Sequence, residues 1–242
     1  MNAIKIENLT KRYKDVTAVD NLSLDIAEGE LFSLLGVNGA GKTTTIKMLS
    51  CLSSPTSGDA LVLGESICKN PAGVKALIGV SPQETAVASG LTVRENLEFI
   101  CGIYVFPKEK TTQKVAQVAS MLSLENVMDK KAAKLSGGYA RRLSIAMALI
   151  SEPRVLFLDE PTLGLDVLAR SELWDIIRSL KGKVTIILTT HYMEEAEALS
   201  DRIGIMKDGK LLICDTPDGI KAKTGADSIE KAFITIVKEA QK

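Results

Sequence analysis

Four cysteines, Cys51, Cys68, Cys101 and Cys214, form no C-x-x-C pair and no metal-like spacing, so the sequence supplies neither a disulfide framework nor a cysteine metal site. They are expected to be reduced packing residues of a cytosolic protein. An excess of charge is also missing. With 30 basic and 30 acidic side chains the formal net charge is zero, which removes the electrostatic footprint of a nucleic-acid binder. The short run Lys11, Arg12 and Lys14 reads as a solvated strand end, and no nucleic-acid partner is expected. No window approaches the roughly 20 apolar residues needed to cross a bilayer, and no charged leader precedes an apolar stretch near Met1. The chain is therefore expected to be soluble by itself. Internal repeats and low-complexity linkers are absent, and His191 is the single histidine. What remains, 242 residues that are 45% hydrophobic, suffices for one large domain with a core.

The segment Gly36-Val37-Asn38-Gly39-Ala40-Gly41-Lys42-Thr43-Thr44 matches G-x-x-x-x-G-K-[ST], a phosphate-binding loop. Successive backbone N–H groups of such a loop, here Asn38 to Thr44, point into one concavity. Lys42 then reaches the outer phosphates of ATP, and the Thr43 hydroxyl ligates magnesium. Glycines allow the backbone to come that close. Four fixed positions match by accident on the order of once in a hundred chains of this length, so the loop needs company. It has company in Val155-Leu156-Phe157-Leu158, an unbroken apolar run of the kind a doubly covered parallel strand shows, which ends in Asp159 and Glu160. Beside a phosphate loop, Asp159 is placed to hold the magnesium shell and Glu160 to orient and deprotonate a water. The alternative is a solvated strand end.

Together with LSGGY (Leu135 to Tyr139), these motifs resemble the nucleotide-binding subunit of ABC transporters, over nearly the whole chain from Ile4 to Gly209. The resemblance implies ATP and Mg2+ as cofactors and a catalytic set of Lys42, Gln83, Glu160 and His191. It makes Tyr13 the aromatic that stacks on adenine, although Tyr13 could also simply pack on its strand. Gln83 becomes the Q-loop residue that touches the metal shell with Thr43 and Asp159, Asp166 the D-loop aspartate, and His191 a donor to the γ-phosphate and partner of Glu160. Ser136, Gly137 and Gly138, at the start of a helix, are implied to complete the ATP site of a facing subunit. Tyr139 departs from the usual glutamine. The partners implied are a separate integral-membrane permease and a second ATPase subunit, identical or paralogous. The implied location is the cytoplasm, peripheral on the inner face of the cell membrane.

The fold class implied is α/β: a P-loop NTPase (RecA-like) core with an antiparallel β subdomain and an inserted α-helical subdomain. Residues 1–242 form one domain, in which 1–83 and 151–215 are core and β subdomain, 84–150 a helical signature subdomain and 216–242 a short helical tail. Ile4 to Tyr13 and Leu22 to Val37 read as strands, with a turn at Glu28-Gly29-Glu30, and the phosphate loop opens a helix through Leu49. Thr92-Val93-Arg94-Glu95 is a capping box, followed by Val93, Leu97, Ile100, Cys101 and Tyr104 at helical spacing. Strands are expected at Val155 to Leu158, Val184 to Thr189 and Arg202 to Met206, with helices at Arg170 to Leu180 and Glu194 to Leu199. Glu194, Glu195 and Glu197 read as a solvated helix face. Ile229, Ala232, Phe233, Ile236 and Val237 line one helical face, which either packs on its own domain or serves self-association.

Within the family the sequence looks most like the stand-alone ATPases of drug, sodium or polysaccharide export. An importer ATPase is the alternative reading. DNA-repair or chromosome-organising ATPases would need a long heptad insertion between loop and signature, and a tandem translation-factor ATPase two heads. Keeping Lys42, Asp159, Glu160 and His191 together argues against a non-hydrolysing binding module.

Overall fold

The computed structural model describes residues 1–240; the last two residues of the expected tail lie outside them. The chain opens with a long hairpin of β1 (Asn2–Tyr13) and β2 (Val16–Ala27). Ile4 and Ile6 on one strand and Leu22, Leu24 and Ile26 on the other turn inward at the two-residue period of a strand. A turn at Glu28 and Gly29 leads into β3 (Leu31–Leu35), then come the phosphate loop and α1 (Lys42–Leu49). β4 (Ser57–Val62) and β5 (Glu65–Ser66) join the hairpin in an antiparallel sheet of order β2-β1-β4-β5. Next follow α2 (Pro71–Leu77), capped by Asn70 with proline at its start, and β6 (Ile78–Ser81).

Three longer helices come next: α3 (Val93–Ile103), α4 (Lys108–Met121) and α5 (Gly137–Leu149). The chain continues with β7 (Val155–Asp159), α6 (Val167–Leu180), β8 (Thr185–Thr190), α7 (Met193–Leu199), β9 (Arg202–Lys207), β10 (Lys210–Asp215), α8 (Pro217–Thr224) and α9 (Ile229–Glu239). The second sheet has the order β10-β9-β3-β8-β7-β6, parallel throughout except for β10. This is the α/β fold class that the motifs imply. Because β3, β8, β7 and β6 are parallel neighbours, their carboxyl ends open on one edge. The phosphate loop, His191, the Asp159–Glu160 pair and Gln83 each follow one of those four ends.

Strand alternation divides the core. On β7, Leu156 and Leu158 join a cluster with Val93, Leu97 and Cys101 of α3, Leu143 of α5 and Ile177 of α6, whereas Val155 and Phe157 face Ile46, Phe32 and the antiparallel sheet. Thr92 makes both halves of its capping box: its hydroxyl accepts the Glu95 N–H at 3.1 Å and Glu95 Oε2 accepts the Thr92 N–H at 2.7 Å. In the tail, Ile229, Ala232 and Phe233 are buried against Ala196, Ile203, Ile205 and Ile220, so the chain itself covers that face.

The acidic run on α7 corrects an expectation. Only Glu194 is solvated. Glu195 is wholly buried and its Oε1 accepts the indole N–H of Trp174 at 3.0 Å, while Glu197 pairs with Lys221 at 2.8 Å. The helix packs that side against α6 and the tail, so Glu195 lies in an interface and Glu197 is half-buried in an ion pair at its edge.

Candidate active site

α1 begins without a side-chain cap, since Gly41 at its N-terminus has φ +103. A side chain there would also meet the Ala18 carbonyl oxygen at 2.4 Å, so glycine is required twice over. The first helical hydrogen bond runs from Thr45 N–H to Gly41 O at 2.9 Å, which leaves the N–H groups of Lys42, Thr43 and Thr44 free for an anion. These residues line a cleft of about 500 Å3 with Tyr13, Ala18, Asn38, Gly39, Ala40, Gly41, Gln83, Glu160, Leu163 and His191. Tyr13 is 47% exposed at its mouth, with Lys11 Nζ over its ring at 5.0 Å from the centroid. Another cavity, of about 510 Å3, opens between Lys114, Glu152 and Leu180 and contains none of the residues implied to act on nucleotide.

Inside the cleft the charged groups form one chain of contacts. Lys42 Nζ donates to Gly36 O at 2.7 Å and lies 3.2 Å from Glu160 Oε1; Glu160 Oε2 stands 2.7 Å from His191 Nδ1. Glu160 is 5% exposed and adopts φ +49, a left-handed backbone uncommon for a residue with a side chain. That conformation is held by its N–H, which donates to both Thr189 O and Thr189 Oγ1 at 3.1 Å. Strain of this kind, of order 1–3 kcal/mol, concentrates at functional positions. Thr189 stands beside Asp159 in the β7–β8 register and donates its hydroxyl to Asp159 Oδ1 at 2.5 Å.

Thr43 Oγ1 donates to Asp159 Oδ1 at 3.1 Å. Two hard oxygens at that separation suit adjacent vertices of a magnesium octahedron, whose edge is about 3.0 Å for bonds of about 2.1 Å. Gln83 lines the same cleft and offers a third oxygen. The residues present therefore fit Mg2+.

Ser136, Gly137, Gly138 and Asp166 do not line this cleft. Ser136 caps α5 by accepting the Tyr139 N–H at 3.4 Å, and Asp166 caps α6 by accepting the Ala169 N–H at 2.9 Å. The two helix starts touch, since a Cβ on Gly138 would lie 3.2 Å from that of Ala169. The Tyr139 ring lies under the Arg142 guanidinium at 5.3 Å, and Arg142 pairs with Glu172 of α6.

A family model described as ABC transporter matches residues 19–163, more than half of the chain. The chain belongs to the ABC transporter family. A shorter match, over residues 131–196, is to a model described as an AAA domain, putative AbiEii toxin of a type IV toxin–antitoxin system. The chain is similar to the probable multidrug ABC transporter ATP-binding protein YbhF of Escherichia coli (strain K12), with 39% identity over 245 residues. That match covers 99% of this chain and 42% of the relative, so the chain spans less than half of the relative's length. The daunorubicin resistance ATP-binding protein DrrA2 of Streptomyces coeruleorubidus is 40% identical over 94% of this chain and 71% of its own length. A dimeric ATP-binding cassette solved in a post-hydrolysis state with ADP and Pi superposes with a TM-score of 0.80 and 28% identity, over 88% of this chain and 98% of that one. The chain is thus an ATP-binding cassette of the ABC family, with the fold of the ATPases it resembles.

Three polar residues of this region have roles that the motifs do not announce. Thr189 orients the Asp159 carboxylate and holds the Glu160 backbone, and its signal is the break of the apolar run Ile186-Ile187-Leu188 into two threonines. Arg141 donates to Pro82 O and Gln83 O, each at 2.6 Å, and buried Glu195 accepts from Trp174. Neither of these two has a local sequence signal.

Proposed function

We propose that this ABC cassette hydrolyses ATP as a head-to-tail dimer around two MgATP and so drives a separate membrane permease, in the direction of export. The observation that carries the reading is Glu160, buried and held between Lys42 and His191 beside the magnesium-ligand pair. Its carboxylate is the base: it takes a proton from the attacking water as the water oxygen bonds to the γ-phosphorus and the bond to the β–γ bridging oxygen breaks, releasing ADP. His191 keeps the carboxylate turned toward the water and donates to the γ-phosphate. Lys42 and the free N–H groups of α1 bind the phosphates, and Tyr13 stacks on adenine. Magnesium, held by Thr43, Asp159 and Gln83, would neutralise phosphate charge.

Ser136, Gly137 and Gly138 lie away from their own chain's cleft, which suits a role in the cleft of a facing subunit, with Asp166 at the same interface. Val167 and Leu168, next to Asp166, are 77% and 76% exposed, apolar surface that a second cassette would cover. Among the described residues no helix is long and apolar enough to cross a membrane; the pore in this reading is the permease. The cassette then sits in the cytoplasm at the inner face of the cell membrane. The export direction is supported by the similarity to the Nod factor export ATP-binding protein I of Burkholderia orbicola (strain AU 1054), 42% identical over 94% of this chain.

Affinity purification from cross-linked membranes tests the partner. A multi-spanning protein cross-linked between Gln83 and Tyr104 is expected, and recovery of ribosomes or DNA instead would contradict the transport reading. In vesicles holding the cassette and that partner, cargo should move away from the cassette face on addition of ATP; movement toward it would make the system an importer.

A further inference from the structure

The Q-loop is held from behind by a side chain with no place in the chemistry described above. Arg141, 5% exposed, donates Nη1 to Pro82 O and Nη2 to Gln83 O, each at 2.6 Å. Two successive carbonyls matched to the two prongs of one guanidinium make short, charge-assisted bonds that the point charge of lysine does not reproduce. Burial lowers the affinity of this guanidinium for its proton, and Asp159 acts in the opposite sense. The anchor is stiff on both sides. Arg141, Ser144 and Ala148 fall on one face of α5, and that face lies along β6, the strand that delivers the Q-loop. Ser144 Oγ is 2.9 Å from Ser81 Oγ, and a Cβ on Gly79 would lie 2.3 Å from Ala148 O, so helix and strand are in close contact. One turn before Arg141 on the same helix stands Gly138 of the signature.

We propose that Arg141 is a positioning residue that locks the Q-loop to the signature helix. Gln83 in one ATP cleft and the Ser136–Gly138 turn that serves the facing cleft then move as one unit. The inference rests on the roles proposed above for Gln83 and the signature. Its consequence is a connection between the two ATP sites through a single chain: a shift of Gly138 against the partner's nucleotide reaches Gln83 by one turn of helix and a guanidinium fork.

The test uses the full chain as Arg141→Gln, Arg141→Lys, Gln83→Ala and the double variant Arg141→Gln/Gln83→Ala. Without nucleotide, amide hydrogen exchange over residues 82–90 should accelerate at least about tenfold in Arg141→Gln while β7 and α6 keep their rates. With MgATP, Arg141→Gln should lower kcat by about tenfold and raise the Mg2+ concentration for half-maximal turnover, and Arg141→Lys should recover little. Because both substitutions act through one side chain, the double variant should be within about twofold of Gln83→Ala alone. Losses that multiply, exchange over 82–90 that stays at the wild-type rate, or exchange that accelerates everywhere would each overturn the proposal. Wild-type turnover and Mg2+ dependence in Gln83→Ala would overturn the Q-loop role itself, and the connection with it; a defective Gln83→Ala beside a normal Arg141→Gln overturns the connection alone.

Discussion

Glu195 shows how a residue that looks solvated in sequence becomes structural. Burial holds its carboxyl above the ordinary value of 4.5, and Glu160 pushes the same way, while the hydrogen bond from Trp174 opposes the rise. A group whose native pKa is raised contributes stability that is complete below its unfolded pKa and is lost as pH rises through the native one. Glu195→Gln, neutral at every pH, removes that loss. The melting temperature of the variant relative to wild type should therefore climb from pH 4.5 toward pH 8; parallel curves would show that Glu195 is not held protonated. The phosphate-loop residues, Asp159, Glu160 and His191 were legible because their chemistry fixes residue types at fixed spacing. Glu195 and Arg141 were not, since their partners are Trp174 and the carbonyls of Pro82 and Gln83, remote in sequence, and local pattern makes an acidic or basic run look solvated.

At the scale of elements, apolar period and end signals gave α1, α3 and the strands β7, β8 and β9 to within a few residues. The Thr92 capping box appeared as written. The short strands β5 and β10 carried no such signal, because β5 has two residues and β10 is only half-buried, and their pairing comes from neighbours already in place. The apolar face of α9 was legible, but only the structure distinguishes packing on its own domain from self-association. Phe233→Ala should cost about 3 kcal/mol in chemical denaturation, as for other buried phenylalanines; a cost below about 0.5 kcal/mol would mean that the tail is not docked in solution.

The start of α5 gives a sharper test at this scale. In the closed dimer, a carboxylate at Gly138 would face the partner's γ-phosphate with about 4 kcal/mol of repulsion at 4 Å and an effective dielectric near 20. Gly138→Asp should therefore lower steady-state ATP turnover by at least about a hundredfold. Since a Cβ there meets Ala169 at 3.2 Å, Gly138→Ala measures the steric part separately and should be milder. Tyr139 is occupied by Arg142 and the α5–α6 contact, so Tyr139→Gln should change turnover only several-fold. The reverse ranking would remove the signature from the nucleotide interface.

Taken as a whole molecule, the cassette places one set of phosphate ligands in a cleft and a second helix start outside it. On the proposed reading, one chain holds the parts of two half-sites. The parallel order β3-β8-β7-β6 explains the first, since four strand ends deliver Lys42, His191, Glu160 and Gln83 to one edge. The contact between α5 and α6 explains the second, bringing Gly138 and Asp166 to a common surface beside exposed Val167 and Leu168. A base that can no longer accept a proton should leave ATP binding intact and the clamp closed. The most direct measurement is the mass of purified Glu160→Gln by size-exclusion chromatography with light scattering, with and without MgATP, alongside its ATP turnover. The account predicts an ATP-dependent dimer with turnover at or below about 1% of wild type; a monomer at all ATP concentrations with wild-type turnover would contradict it.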